Sequence, residues 1–146
     1  MPVPGSNPIP FVPPSGEFDV DSITDLNGNP VGPVIDADQG FQVTGRVQLP
    51  NWLAGTGQVC IYADELGGPF NQQVGCTQIN INPQPTDPPG LKTYPWTVTI
   101  PGNPSPFPDP QPGSSQLYRF GAVFTYGGTQ LTDIQSFVDM GPLMVD

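Results

Sequence analysis

The sequence predicts an all-β protein: an antiparallel sandwich of about 7–8 short strands, preceded by an extended Pro-rich N-terminal arm. Three observations predict it. Two-residue alternation of apolar and polar side chains recurs along the chain, most cleanly in FQVTGRVQL over 41–49. The alternating segments follow one another at roughly ten-residue spacing, separated by turns rich in Gly, Pro and Asn. No window holds an i, i+3, i+4, i+7 apolar stripe free of Pro and Gly, so no helix is predicted.

The arm comes first, over residues 1–16. Pro2, Pro4, Pro8, Pro10, Pro13 and Pro14 fix φ and remove backbone donors, which excludes helix and central strand and favours an extended, polyproline-like path. Val3, Ile9, Phe11 and Val12 make the arm apolar, as suits a segment lying on a surface. Residues 17–146 form the domain. Phe18, Val20, Ile23 and Leu26 suggest a first strand that ends at the turn Asn27-Gly28-Asn29-Pro30, with 31–35 returning. In 41–49, Phe41, Val43, Val47 and Leu49 share a face, and Gly45 on that face marks a bulge or close packing.

Segments 57–64 and 72–81 read as a hairpin about the loop 65–71. Segment 93–100 puts Tyr94, Trp96, Val98 and Ile100 on one side, with Pro95 pointing to an edge position or a strand start. Segment 117–126 puts Tyr118, Phe120, Ala122, Phe124 and Tyr126 on one side, and 131–145 supplies a final strand or a strand broken near Gly141-Pro142. Pro-rich loops fall at 82–90 and 101–113. The pattern over 17–145 resembles immunoglobulin-like modules, which implies a Greek-key sandwich and no particular activity. It lacks the Cys…Trp…Cys spacing of true immunoglobulin domains, since Trp52 precedes both cysteines.

Composition excludes several functions. Three basic residues (Arg46, Lys92, Arg119) against 13 acidic ones leave a net charge of −10, so no basic stripe is available for nucleic acid. The absence of histidine removes histidine-based catalysis and, with two cysteines, a conventional zinc site. No apolar run approaches the ~18–20 residues of a membrane span. The N-terminal segment has neither a positive start nor an apolar core, so no signal peptide is expected. No cofactor is expected, and neither is enzymatic activity: nothing marks a carboxylate pair or a serine–lysine pair as catalytic.

Four sets of residues stand out. Cys60 and Cys76 are equidistant from Gly68 at the hairpin centre, so a regular hairpin sets them opposite one another, within reach of a disulfide. The alternative is two reduced cysteines acting as small buried hydrophobes. Asp19, Asp21, Asp25 and Asn27 offer a weak oxygen cluster for calcium, although turn formation explains the same residues. Trp52, in LPNWLAG, falls in a loop and is a candidate ligand platform, whereas the strand periodicity assigns most other aromatics to the core. Val3, Ile9, Phe11 and Val12 of the arm, with Phe107 in the long loop, are the candidate interface.

Together these readings predict a non-enzymatic structural or assembly subunit, its arm docking on a neighbouring copy or a scaffold lattice. Capsid decoration or cement proteins and extracellular filament subunits have this general form. The implied partners are copies of the chain in a homo-oligomer or larger assembly, and the implied location is a particle surface or extracellular assembly. A carbohydrate- or protein-binding adhesion module is the alternative.

Overall fold

A computed structural model of the chain describes residues 16–108, 116–127 and 135–146, and the backbone of 6–9. The described residues form nine strands and no helix: β1 (Ser6–Ile9), β2 (Gly16–Thr24), β3 (Val34–Ile35), β4 (Phe41–Pro50), β5 (Gly55–Glu65), β6 (Asn71–Ile81), β7 (Leu91–Ile100), β8 (Gln116–Gly127) and β9 (Gln135–Val145). Sheet A has the order β1-β2-β4-β7 and sheet B the order β3-β9-β8-β5-β6. Every pairing is antiparallel except β3 with β9.

The core lies between the sheets because each strand buries alternate residues. Phe41, Val43, Val47 and Leu49 of β4 are fully buried, as are Val59, Ile61 and Ala63 of β5. Phe18 lies 5.7 Å from Trp96 of its own sheet and, across the layers, 5.8 Å from Phe124 of sheet B, the spacing of favourable ring pairs. Gly45 is required by close approach. A Cβ there would come 2.3 Å from the Trp96 ring and 2.1 Å from the Asp19 carbonyl oxygen. The β2 register shifts between Val20 and Ser22, beside this point.

Two segments differ from the sequence reading, and part of the arm is placed more closely than that reading placed it. Residues 6–9 of the arm form an edge strand: Ser6↔Asp19, Asn7↔Phe18, Pro8↔Glu17 and Ile9↔Gly16 pair β1 with β2. Pro8 is tolerated because an edge strand needs only half its donors. After Thr24 the chain does not return along β2. One bridge, Thr24↔Pro30, is made before Val34–Ile35 joins sheet B, and Leu26 is 46% exposed. Pro30 and Pro33 deprive this stretch of ladder donors. Phe107 is not a surface contact residue. It is buried, with ring centroids of Phe41, Phe70, Tyr118 and Phe120 at 5.1–6.1 Å. The loop thus drops one large side chain between the sheets, and burial of that apolar area outweighs any surface role.

The Pro-rich loop 82–90 is held rather than free. The Lys92 Nζ donates to the Asp87 carboxylate and to the Asn82 carbonyl, each at 2.9 Å, and the Asn51 side chain donates to the Pro88 carbonyl at 2.8 Å. A backbone hydrogen bond from Gln84 and then the Lys92 ammonium hold the Asp87 carboxyl below the usual range.

Candidate functional site

Cross-strand register fixes what the outer face of sheet B displays. In β5 the inward residues Val59, Ile61 and Ala63 leave Cys60, Tyr62 and Asp64 pointing out. Their partners on β8 are Val123, Gly121 and Arg119, and the next residues on β9 are Phe137, Asp139 and Pro142. Cys60 and Cys76 pair directly across β5 and β6 and are joined by a disulfide on this face.

Between these rows lies a shallow cleft of about 200 Å³, lined by Tyr62, Asp64, Arg119, Phe120, Gly121 and Phe137. Gly121 is its floor. A Cβ there would come 2.5 Å from the Phe137 ring, so the missing side chain is what lets that ring lie over the strand. Tyr62, directly opposite Gly121 on β5, is 39% exposed, and Phe137 is 50% exposed. The Tyr62 hydroxyl donates to Gln73 Oε1 at 3.4 Å. Asp64 and Arg119 face each other at one end, on paired strands. Arg46 and Lys92 are both engaged in ion pairs, whereas Arg119 makes none among the described residues.

A larger cavity of about 520 Å³ lies by the β5–β6 loop, against Glu65, Phe70, Gln72, Pro108 and Gln116. Two of its lining residues, Pro108 and Gln116, flank in sequence the residues 109–115, which lie outside the described residues.

The residues singled out from the sequence are dispersed. Val3, Phe11 and Val12 lie outside the described residues, and Ile9 falls in β1. Trp52 is 43% exposed in the turn before β5. Seven residues of β5 separate that turn from Tyr62, roughly 20 Å of strand, so the two do not form one platform. The four candidate calcium ligands do not converge. Arg46 donates to both Asp21 oxygens, at 3.0 and 3.2 Å, and approaches Asp19 at 3.7 Å. Asp25 Oδ1 instead accepts the backbone N–H groups of Asn27 and Asn29 at 2.9 and 3.0 Å, a local turn. Those backbone bonds, from Asn29 foremost, lower the Asp25 pKa. Asp19 is buried, and burial raises its pKa to about 6; the Glu17 carboxyl adds to the shift and Arg46 opposes it.

The sequence reading passed over Tyr62 and Phe137. Their signal was present as parity: in GQVCIYAD, Tyr62 shares its side with Cys60 and Asp64 rather than with Val59, Ile61 and Ala63. No residue-level pattern shows that Gly121 lies beside Tyr62, because that depends on the β5–β8 register.

No protein-family model and no curated protein matches the chain. Among solved structures, the crystal structure of the C-terminal domain of wzt is similar over 84% of this chain and 67% of that one, at 10% identity and a TM-score of 0.45.

Proposed function

We propose that the protein is a non-enzymatic assembly subunit: an immunoglobulin-like, Greek-key sandwich whose N-terminal arm docks on a neighbouring copy. The observation that carries this reading is the β1–β2 pairing. The arm pairs with the sheet edge in backbone register through four residue pairs, and the six residues 10–15 join it to β2 in the sequence. The same four pairs are equally available to the arm of a second copy, so exchanging arms costs little and links subunits. Pre-extended Pro-rich segments lose little entropy on docking.

The strand order supports the immunoglobulin-like part. The strands β2-β4-β7 lie in one sheet and β9-β8-β5-β6 in the other, with β3 parallel to β9, so the chain changes sheets at β2–β3, β3–β4, β4–β5, β6–β7 and β7–β8. Sequential neighbours that sit in opposite sheets are the mark of Greek-key connection. The net charge of −10 keeps a free subunit soluble before assembly.

The test is the light-scattering mass of the full chain at micromolar concentration. The expected result is a mass well above 15.5 kDa that deletion of residues 1–15 returns to monomer. A monomer at all concentrations overturns self-assembly through the arm.

A further inference from the structure

We propose that β6 is a self-association edge, where two copies pair antiparallel across a two-fold axis and their five-stranded sheets B run on as one. This is a second contact, added to the arm contact of the assembly reading above, and either can fail without the other.

The sheet edges are guarded unequally. An edge strand offers unpaired backbone groups to any other chain, and short length, proline and charge blunt that offer. β1 has four residues and carries Pro8. β7 carries Lys92 and Pro95. β3 has two residues, between Pro33 and Asp36, and the part of β9 that it leaves uncovered carries Asp139 and Pro142. β6 ends sheet B on the other side with eleven residues, NQQVGCTQINI, and has neither proline nor charge. Among the described residues it pairs with β5 alone.

Register fixes which backbone groups are open. Cys60 and Cys76 lie 4.1 Å apart at Cα, the close spacing of a non-hydrogen-bonded antiparallel pair. The N–H and C=O of Cys76 therefore point away from β5, and by alternation so do those of Gln78 and Asn80. The extra residue Val74 interrupts the ladder before this point, whereas Cys76–Ile81 runs in unbroken register. A two-fold axis at Gln78 sets Gln78 against its own counterpart and Cys76 against the partner's Asn80, so each open donor meets an acceptor. On the buried side the same register sets Thr77 against the partner's Ile79.

Charge singles out the same edge. Segments 76–81, 55–60, 123–127 and 135–137 lie side by side in sheet B and hold no Asp, Glu, Lys or Arg. In a chain of net charge −10, a like-charged copy meets little repulsion there. Lys92, which donates to the Asn82 carbonyl just beyond the strand, is neutralised by Asp87. β6 lies beside β7 and β1 beside β9, so β6 and the arm occupy opposite edges of the sandwich. Contacts at both edges link subunits into a row. The edge contact is small against the ~800 Å² per partner of a stable interface. Alone it forms only in concentrated solution, and arm-linked copies raise its effective concentration.

The experiment is the light-scattering mass of the full chain from micromolar to millimolar concentration. It compares wild type with two double variants, Gln78→Lys with Asn80→Lys and Gln78→Glu with Asn80→Glu. Both side chains are exposed, so all three proteins should melt together. The wild-type mass should rise with concentration. Each double variant should lose that rise, and an equal mixture of the two should regain it, because unlike charges then meet across the edge. Rescue by mixing separates a broken contact from a broken fold. The lysine variant is the sharper case, since it lowers the net negative charge and should still weaken association. A wild-type mass that never rises overturns the β6 contact, as does a rise that both variants keep or a loss that mixing does not repair. A rise kept in both variants but lost on deleting residues 1–15 assigns the assembly to the arm alone and overturns β6. A chain that is monomeric at micromolar concentration yet pairs through β6 when concentrated supports β6 and overturns the arm.

Discussion

On the outer face of sheet A the cross-strand rows run Thr24–Gln42–Thr99, Ser22–Thr44–Thr97 and Glu17–Gln48–Thr93. On the outer face of sheet B they run Phe137–Val123–Cys60–Cys76 and Asp139–Gly121–Tyr62–Gln73. The first is a ladder of hydroxyls and amides that bond one another or water, as Ser22 Oγ and Thr44 Oγ1 do at 2.6 Å. The second groups a disulfide and two large exposed rings. Scattered exposed apolar side chains need no explanation, but a grouped set on one face of a sandwich does. Both faces arise from the same alternation and flank the same core, so folding does not demand the difference. What it teaches is that one repeat of inward apolar residues leaves the outer faces free to differ: polar rows on sheet A, a grouped set of apolar side chains on sheet B.

The inner side shared by both sheets sets the scale. Phe107→Ala should lower stability by about 3–5 kcal/mol in urea unfolding, because the side chain fills the space between Phe41, Phe70 and Tyr118. A loss below about 1 kcal/mol would return Phe107 to the surface role the sequence suggested.

On sheet B, Cys60→Ala with Cys76→Ala should cost about 3 kcal/mol in the chain-entropy account of a loop this size, and reducing agent should lower the wild-type melting temperature to match. If reductant leaves the wild type unchanged, the staple does not hold β5 and β6 together.

On sheet A, Asp19→Asn should stabilise the protein. The folded pKa is about 6 against the usual 3.8, so folding favours the protonated acid. The resulting destabilisation is absent below about pH 4, grows as pH rises, and is complete above about pH 6. The gain from the asparagine should therefore be about 2–3 kcal/mol at pH 8 and near zero at pH 4. A gain that is the same at both pH values would show that the carboxyl is not the cause.

Arg46→Gln should cost little stability, and that small loss should shrink with added salt, because its pairing with Asp21 is exposed. The smallest effect belongs to the cleft. Tyr62→Ala and Phe137→Ala should shift stability by within about 0.5 kcal/mol. A large loss of stability would make the two rings structural and erase the contrast between the faces.

Much of the β architecture was legible because alternation is local. The strand 41–49, the hairpin about Gly68 and the edge reading of Pro95 follow from neighbouring residues, and the structure has β4, the β5–β6 hairpin and β7 at the edge of sheet A; at Gly141-Pro142 the last strand is not broken but continues through Gln135–Val145, with a register shift beside Gly141. The arm's pairing with β2 was not legible, since proline content argues about φ and donors and says nothing of which edge is open. Nor was Phe107, because a single apolar residue in a Pro-rich loop has no periodicity to show which way it faces.

The sequence by itself determined that the chain is β, where most strands begin and end, and that catalysis by histidine and binding through a basic surface are outside its chemistry. Local steric preference and the two-residue repeat are enough for that. Only the tertiary structure decided which outward residues meet. Gly121, Tyr62 and Phe137 are 59 and 16 residues apart from one another along the chain, and their meeting depends on the registers of β5 with β8 and of β8 with β9. Register is fixed by the packing of the buried faces, which then carries the outer side chains into place whatever they are.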